Sequence, residues 1–234
     1  MKTALITGAN RGLGLESAKQ LIAAGFYVYL GVRDLEKKDE ILKKIKATDK
    51  NAMLLKLDVT KNAQIKTAQD IFKKNGKGLD VIIANAGVFL EPRSEKHAVL
   101  DVDPIIILKS IEVNTMGPLK LFQALIPFMV ENGGGRIINI SSGMGQLSEM
   151  GGHYPGYRMS KVALNALTIM LANEHSDDGI TISSVCPGWV QTDMGGENAP
   201  RSVEEGVETT IWLATTTEEI PNGKFFRDKK VIDW

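Results

Sequence analysis

The stretch "KTALITGANRGLGLESAKQLIAAG", at the start of the chain, leaves the fewest alternatives for how it folds. Its first half is a short β-branched and apolar run that stops at a glycine, as a buried strand does. Its second half sets Leu15, Ala18, Leu21 and Ile22 at helical spacing, one apolar face of a helix. Strand, glycine turn and helix in that order open a βαβ unit. In such a turn Gly8 permits the sharp bend, Gly12 lets backbone approach a ligand, and Gly14 allows close packing of helix on strand. The helix N-terminus then offers unpaired N–H groups to a phosphate. The loop from Gly8 through Asn10, Arg11, Gly12 and Leu13 to Gly14 is therefore a candidate nucleotide cradle, set against the plainer reading of a structural turn.

The rhythm continues along the chain. "FYVYLGV", "AMLLKLDV" and "LDVIIANAG" read as the second to fourth strands. "DLEKKDEILKKIKA" and "AQIKTAQDIFKKNG" between them read as helices, the second ending in a Gly stop. The second half predicts a long helical stretch from Pro104 to Val130, a strand at "GRIINISS" and a helix from Tyr157 to about His175. A sixth strand at "ITISSVCPG", a helix at "VEEGVETTIWLAT" and a short seventh strand at "GKFF" follow. Strands that alternate with helices imply a mainly parallel sheet, and near-continuous apolar strands imply that both its faces are covered. The expected fold is α/β, a single-domain Rossmann fold over residues 1–234, with a doubly wound parallel sheet of about seven strands and helices on both faces. "VFLEPRSEKHAVLDVD" and "QTDMGGENAPRS" break the pattern after the fourth and sixth strands. They follow strand C-termini, where open α/β sheets bind ligands, and read as pocket walls or a lid.

Composition narrows the function. With 234 residues and 43% hydrophobic content the chain suffices for one sizeable core. Basic and acidic residues balance at 28 each, so neither a nucleic-acid footprint nor a polybasic membrane patch is expected. A single cysteine, Cys186, excludes an internal disulfide, and no signal peptide or long apolar run is visible; a cytoplasmic protein is the expectation. His97, His153 and His175 lack metal-ligand spacing and read as solvated or hydrogen-bonded surface residues, with no metal site.

The second strand should end near Val32, where a dinucleotide-binding fold meets the adenosine ribose. An acid there favours a free 2′-hydroxyl, an arginine a 2′-phosphate. The sequence offers Arg33, with Arg11 as a second positive charge, and this favours NADP(H) over NAD(H). Asp34 is the counter-signal: turned inward, with Arg33 outward, it would favour NAD.

Downstream, "GGHYPGYRMSK" holds Tyr154 and Tyr157. Lys161 lies four residues after Tyr157, one helical turn away on the same face, whereas Tyr154 has Arg158 at that offset. A lysine's charge and donors can be re-aimed at a neighbouring phenol more readily than an arginine's. Tyr157 is thus the chemical candidate, and Tyr154 a structural or substrate-contact residue.

Taken in order, "TGANRGLG", "LDV" at Leu57 to Val59, "NAG" at Asn85 to Gly87, "NISS" before "YRMSK", and "CPGWVQT" resemble the short-chain dehydrogenase/reductase family over almost the whole chain. The tail "GKFFRDKKVIDW" is most similar to the carbonyl reductase branch. The resemblance implies a catalytic tetrad of Asn114, Ser142, Tyr157 and Lys161. Tyr157 would be the general acid in carbonyl reduction and the base in alcohol oxidation, and Lys161 would also bond the nicotinamide ribose. Ser142 would bind the substrate oxygen, and Asn114 would hold a water that connects to Lys161. Asp58 and Val59 would lie at the adenine, Asn85, Ala86 and Gly87 along the adenosine ribose and phosphates, and Pro187, Gly188, Val190 and Thr192 around the nicotinamide. Successive strand residues face opposite ways, so Ser141 is expected to pack while Ser142 faces the cleft. Cys186 reads as a small buried residue, and Trp189 as pocket wall or core.

Vertebrate carbonyl reductases carry a long insertion ahead of the catalytic tyrosine, where this chain has only Gly143 to Gly156. Their monomeric state does not carry over, and the helices from Pro104 and Tyr157 could pack across a two-fold axis in a homodimer or homotetramer. Apolar Leu147, Met150, Trp189 and Met194 are candidates for the pocket lining. The expected activity is hydride transfer between NADP(H) and a small-molecule carbonyl (ketone, aldehyde or quinone) or alcohol substrate, with no nucleic-acid or membrane partner. An NAD-dependent alcohol dehydrogenase and a non-catalytic NADP(H)-sensing protein are the alternatives.

Overall fold

In the computed structural model, residues 1–45, 50–91 and 98–234 are described. His97 and the expectations for residues 46–49 and 92–97, which include the end of the second helix and the middle of the first pattern-breaking segment, lie outside them. Strand β1 (Thr3–Thr7) is buried at every position. It leads through the glycine loop into α1 (Gly12–Ala23), which stops before Gly25 in a left-handed conformation. β2 (Tyr27–Val32), α2 (Lys38–Lys44), β3 (Ala52–Lys56), α3 (Asn62–Asn75) and β4 (Val81–Ala84) complete the first half. The second half contains α4 (Pro104–Ile111), α5 (Gly117–Glu131), β5 (Gly135–Ile140), α6 (Pro155–Glu174), β6 (Ile180–Val185), α7 (Val203–Thr215), β7 (Lys224–Arg227) and β8 (Lys230–Ile232).

These strands form one sheet in the order β3-β2-β1-β4-β5-β6-β7-β8. All neighbours are parallel except β7 and β8, which form an antiparallel hairpin. Its two turn residues, Asp228 and Lys229, have φ of 52° and 61°, as a type I′ turn requires. Among the described residues the sheet therefore has eight strands, where about seven were expected. β8 is a three-residue edge segment with exposed positions, too short to show as an apolar run.

Along β1, Leu5 joins the core layer that contains Tyr29, Phe72 of α3, Phe122 of α5 and Leu164 of α6. Its neighbour Ile6 joins the opposite layer with Leu30, Leu21 of α1, Ile41 of α2 and Leu213 of α7. The two-residue period of a strand thus feeds two apolar layers, which is why these strands read as continuous hydrophobic runs. Among the described residues no helix is long and apolar enough to cross a membrane.

The helical stretch expected from Pro104 to about Val130 is present but not uniform. A five-residue π turn, Glu112–Met116, joins α4 to α5 and carries Asn114. Such insertions recur where a helix must present a functional group. Gly117 follows because a Cβ there would sit 2.5 Å from the Val59 side chain.

Candidate active site

The sheet reverses its winding between β1 and β4. At the C-terminal ends of these strands opens a cavity of about 1760 Å³, lined by the glycine loop at one end and by Ser142, Tyr157 and Lys161 at the other. Gly8 and Gly12 have φ of 66° and 51°, the left-handed region that side chains disfavour. Gly14 is helical, but a Cβ there would strike the Gly8 carbonyl oxygen and the Asn85 amide. The N-cap of α1, Arg11, makes no side-chain cap, and no acid stands in the first turn. The helix therefore presents uncapped N–H groups beside a glycine-rich loop, a receptor for an anion.

Asn85 Nδ2 donates to the carbonyl oxygens of Thr7 (2.9 Å) and Gly8 (3.1 Å). Thr7 Oγ1 in turn accepts from the N–H groups of Asn85 and Ala86. These bonds tie "NAG" to the glycine loop. Gly87 continues that wall: a Cβ on it would lie 3.2 Å from Asn114 Oδ1 and 3.7 Å from Lys161 Nζ.

Beyond β2, Arg33 and Asp34 both line the cavity. Asp34 Oδ1 accepts from the Glu36 N–H at 2.9 Å, so its carboxylate is folded onto its own loop. Burial raises the Asp58 pKa, but hydrogen bonds from the Thr60 N–H and hydroxyl, with the charges of Arg33 and Lys61, outweigh this and lower it overall. Arg11 lines the cavity as Arg33 does. It pairs across the loop with Asp193, an exposed carboxylate close enough to capture it. Leu13, Asn10 and Val59 line the same end, and Thr192 packs near Gly12, where a Cβ would be 3.2 Å from its methyl group.

At the other end the side chains converge from four elements. The helix carrying Tyr157 begins after His153 and Tyr154, both in the left-handed region at φ of 64° and 55°. Tyr157 is buried, and its ring lies 4.7 Å from that of Phe89, which also meets Tyr154 at 5.2 Å. Lys161, one turn on, is buried; its Nζ donates to the Ile140 carbonyl at 2.8 Å and lies 5.6 Å from the Tyr157 ring centre. Desolvation lowers its pKa from 10.5 to about 8. Ser142 Oγ accepts from the Met144 N–H at 3.1 Å, which leaves its hydrogen to donate elsewhere. Ser141 instead is buried and donates to Asn165 Oδ1 at 2.6 Å, the division of roles expected from strand alternation.

Asn114 is buried in a polar network. Its amide donates to the Val88 carbonyl and to Ser160 Oγ, both at 2.9 Å, and its Oδ1 accepts from the Val88 N–H at 2.8 Å. Ser160 donates to the Tyr157 carbonyl at 2.7 Å. Both amide hydrogens are engaged, so the side chain joins β4 to α6 and could hold a water only through oxygen lone pairs.

Pro187, Gly188 and Val190 line the cavity after β6. Of the apolar candidates, Trp189 and Met194 line it while Leu147 and Met150 do not, and Met144 takes their place. The short loop turns Leu147 outward, 61% exposed. Trp189 is wall rather than core, with its indole N–H donating to the Gly195 carbonyl at 2.7 Å. His175 bonds Asp178, and His153 is half-buried.

Two participants escaped sequence reasoning. Glu91, buried beyond β4, accepts from the N–H groups of Gly156 (2.6 Å) and Tyr157 (3.3 Å) and so caps the helix that carries Tyr157. Thr7 looked like an ordinary strand residue. Only their spatial partners reveal either role.

The glycine loop at the sheet's switch point shares one cavity with Ser142 and with Tyr157 and Lys161, which lie one helical turn apart, on a Rossmann-like fold. The short chain dehydrogenase family model matches residues 2–202, and the chain belongs to that family of oxidoreductases. It is 28% identical to Carbonyl reductase (NADPH) 1 of Sus scrofa, covering 100% of this chain and 94% of the relative. It is likewise 28% identical to (+)-neomenthol dehydrogenase of Arabidopsis thaliana, over 99% and 97%. Among solved structures it resembles carbonyl reductase Sniffer of D. melanogaster, with a TM-score of 0.90 and 29% identity over the full length of both chains. An NADPH-bound carbonyl reductase from chicken fatty liver superimposes with a TM-score of 0.88 at 30% identity, over 100% and 99%.

Proposed function

We propose that residues 1–234 act as one catalytic domain, an NADP(H)-dependent reductase that converts the carbonyl of a ketone, aldehyde or quinone to an alcohol. The observation that carries this reading is the meeting of Ser142, Tyr157 and Lys161 at one end of the cavity whose other end is the glycine loop. Carbonyl reductases among the relatives and solved structures support it.

The cradle fits a dinucleotide phosphate: Gly8 and Gly12 take the left-handed turn, Gly14 lets α1 pack against Gly8 and Asn85, and the uncapped start of α1 supplies donors. Arg33 would hold a 2′-phosphate, since the Asp34 carboxylate is already engaged with Glu36. Asp58 and Val59 would flank the adenine, Asn85 to Gly87 the adenosine ribose, and Pro187, Gly188, Val190 and Thr192 the nicotinamide. When bound, NADPH supplies the hydride.

The chain's own residues manage the proton. Ser142 would donate its free hydrogen to the substrate oxygen, and Tyr157 would transfer its phenolic proton to that same oxygen. To work near neutrality a phenol that ordinarily titrates near ~10 needs about 4 kcal/mol of differential stabilisation of its anion. A positive charge about 5 to 6 Å from a phenolate supplies on the order of 3 kcal/mol at an effective dielectric of about 20. Lys161 is mostly protonated at pH 7 and supplies that charge. Asn114 holds α6 in place against Val88 through Ser160.

The test is NADPH oxidation with a panel of aldehydes, ketones and quinones, beside NADH and a Tyr157→Phe variant. The expected result is turnover with NADPH that falls by about 10²- to 10⁴-fold in the variant while NADPH still binds. Equal turnover in the variant would remove Tyr157 from the mechanism. Cofactor binding without any turnover would favour a sensing role.

A further inference from the structure

The substrate end of the cavity holds a guanidinium that the reaction outlined above does not use. In the register of β6 and β7, Val185 faces Phe226, and the Cys186 N–H donates to the Phe226 carbonyl at 2.8 Å. One residue further on β7 is Arg227, which lines the cavity with Cys186 and Ser142. Its Nε donates to Cys186 Sγ at 3.3 Å, and the same sulfur accepts from the Gly143 N–H at 3.1 Å. The arm is thereby anchored, while the terminal nitrogens Nη1 and Nη2 remain as a fork. Nη2 lies so close to Gly143 that a Cβ there would be 2.5 Å from it. The glycine that follows Ser142 is what admits the guanidinium to this place.

Among the described residues no carboxylate pairs with Arg227, although two other cavity arginines have partners. Arg11 pairs with Asp193, and Arg201 pairs with Asp228 at 2.6 Å. Lys161 adds a second positive charge at the same end. A thiol is a weak acceptor, so a half-buried guanidinium held by one sulfur still lacks an anion. The shape that fits its free fork is a planar carboxylate, bound through two charge-assisted hydrogen bonds.

We propose that Arg227 is a specificity-determining residue and that the substrate is a carbonyl compound bearing a carboxylate within a few bonds of the reacting carbon. The inference rests on the reductase reading above and names its substrate class. The carboxylate would dock on Arg227 while the carbonyl oxygen sits between Ser142 and Tyr157, so that one anchored end fixes the other.

The test uses the full chain with NADPH and compares each acid with its methyl ester. Phenylglyoxylate and 4-formylbenzoate probe a near and a farther carboxylate. The measured quantity is the acid-to-ester ratio of kcat/KM in the wild type, Arg227→Met and Arg227→Lys, with NADPH affinity followed by fluorescence. The wild type should prefer at least one acid, by about tenfold to a hundredfold, the range for a charge-assisted pair. Arg227→Met should lose that preference mainly through KM, and Arg227→Lys should recover part of it. Ester turnover without an acid preference would overturn this inference and leave the reductase reading standing. An acid-to-ester ratio unchanged in Arg227→Met, or NADPH affinity lost with it, would assign the arginine to packing or to the cofactor instead. No turnover of either member would count against the reductase reading and this inference together.

Discussion

Replacing Lys161 with Met should make the unliganded protein more stable at neutral pH while it abolishes reduction. The ammonium is buried, and desolvation lowers its pKa from 10.5 to about 8. At about 1.4 kcal/mol per pH unit, the charged form costs the fold about 3 kcal/mol at pH 7. Met has a similar length and no charge, but it forfeits the ammonium's bond to the Ile140 carbonyl, worth about 1.5 kcal/mol for a charged donor. The net gain is about 1.5 kcal/mol at pH 7. Its pH dependence gives the sharper test. Between pH 8 and 10.5 the unfolded chain still holds the proton that the folded lysine has released, so wild-type stability rises with pH in that window. The Met variant has no such group, and its advantage should vanish by about pH 10. Urea unfolding of both proteins at pH 7, 8.5 and 10 measures this, and the difference between them removes the contribution of every other titrating group. A variant less stable than wild type at pH 7, or a difference that does not shrink as pH rises, would refute the claim that Lys161 is held at an energetic cost for its function.

Gly14→Ala should weaken NADPH binding and cost about 1–3 kcal/mol of stability, because its Cβ would strike the Gly8 carbonyl and the Asn85 amide; titration of NADPH fluorescence and urea unfolding read the two effects. Glu91→Gln places an amide where a carboxylate oxygen now accepts from the start of α6. A loss of about 2 kcal/mol should lower Tm by about 4–8 °C and reduce kcat more than it raises KM, whereas an unchanged Tm would show that the cap contributes nothing. Arg33→Asp should shift the NADPH-to-NADH ratio of kcat/KM at least tenfold toward NADH, as measured by parallel absorbance assays.

The elements and chemistry that the sequence alone determined are those governed by local rules. The apolar strands and the helical faces follow from periods of 2 and 3.6 residues, as in β1, where every position is buried, and in α1, where Ala18 and Leu21 are. Tyr157 and Lys161 share a face because four residues make about one turn, whatever the rest of the chain does. The parting of Ser141 from Ser142 follows from strand alternation in the same way. Tertiary structure alone decided features whose partners lie far away along the chain. The π turn that divides the helix after Pro104 opens where Asn114 meets Val88 and Ser160. Arg11 turned to Asp193 because two distant loops meet at the cavity mouth. Glu91 became the cap of α6, and Arg227 reached Cys186 and Gly143, through the packing of segments 65 and 41 residues apart in the first contact of each. A hydrogen bond or ion pair needs both groups within about 3 Å, and no local period records which distant residue arrives there.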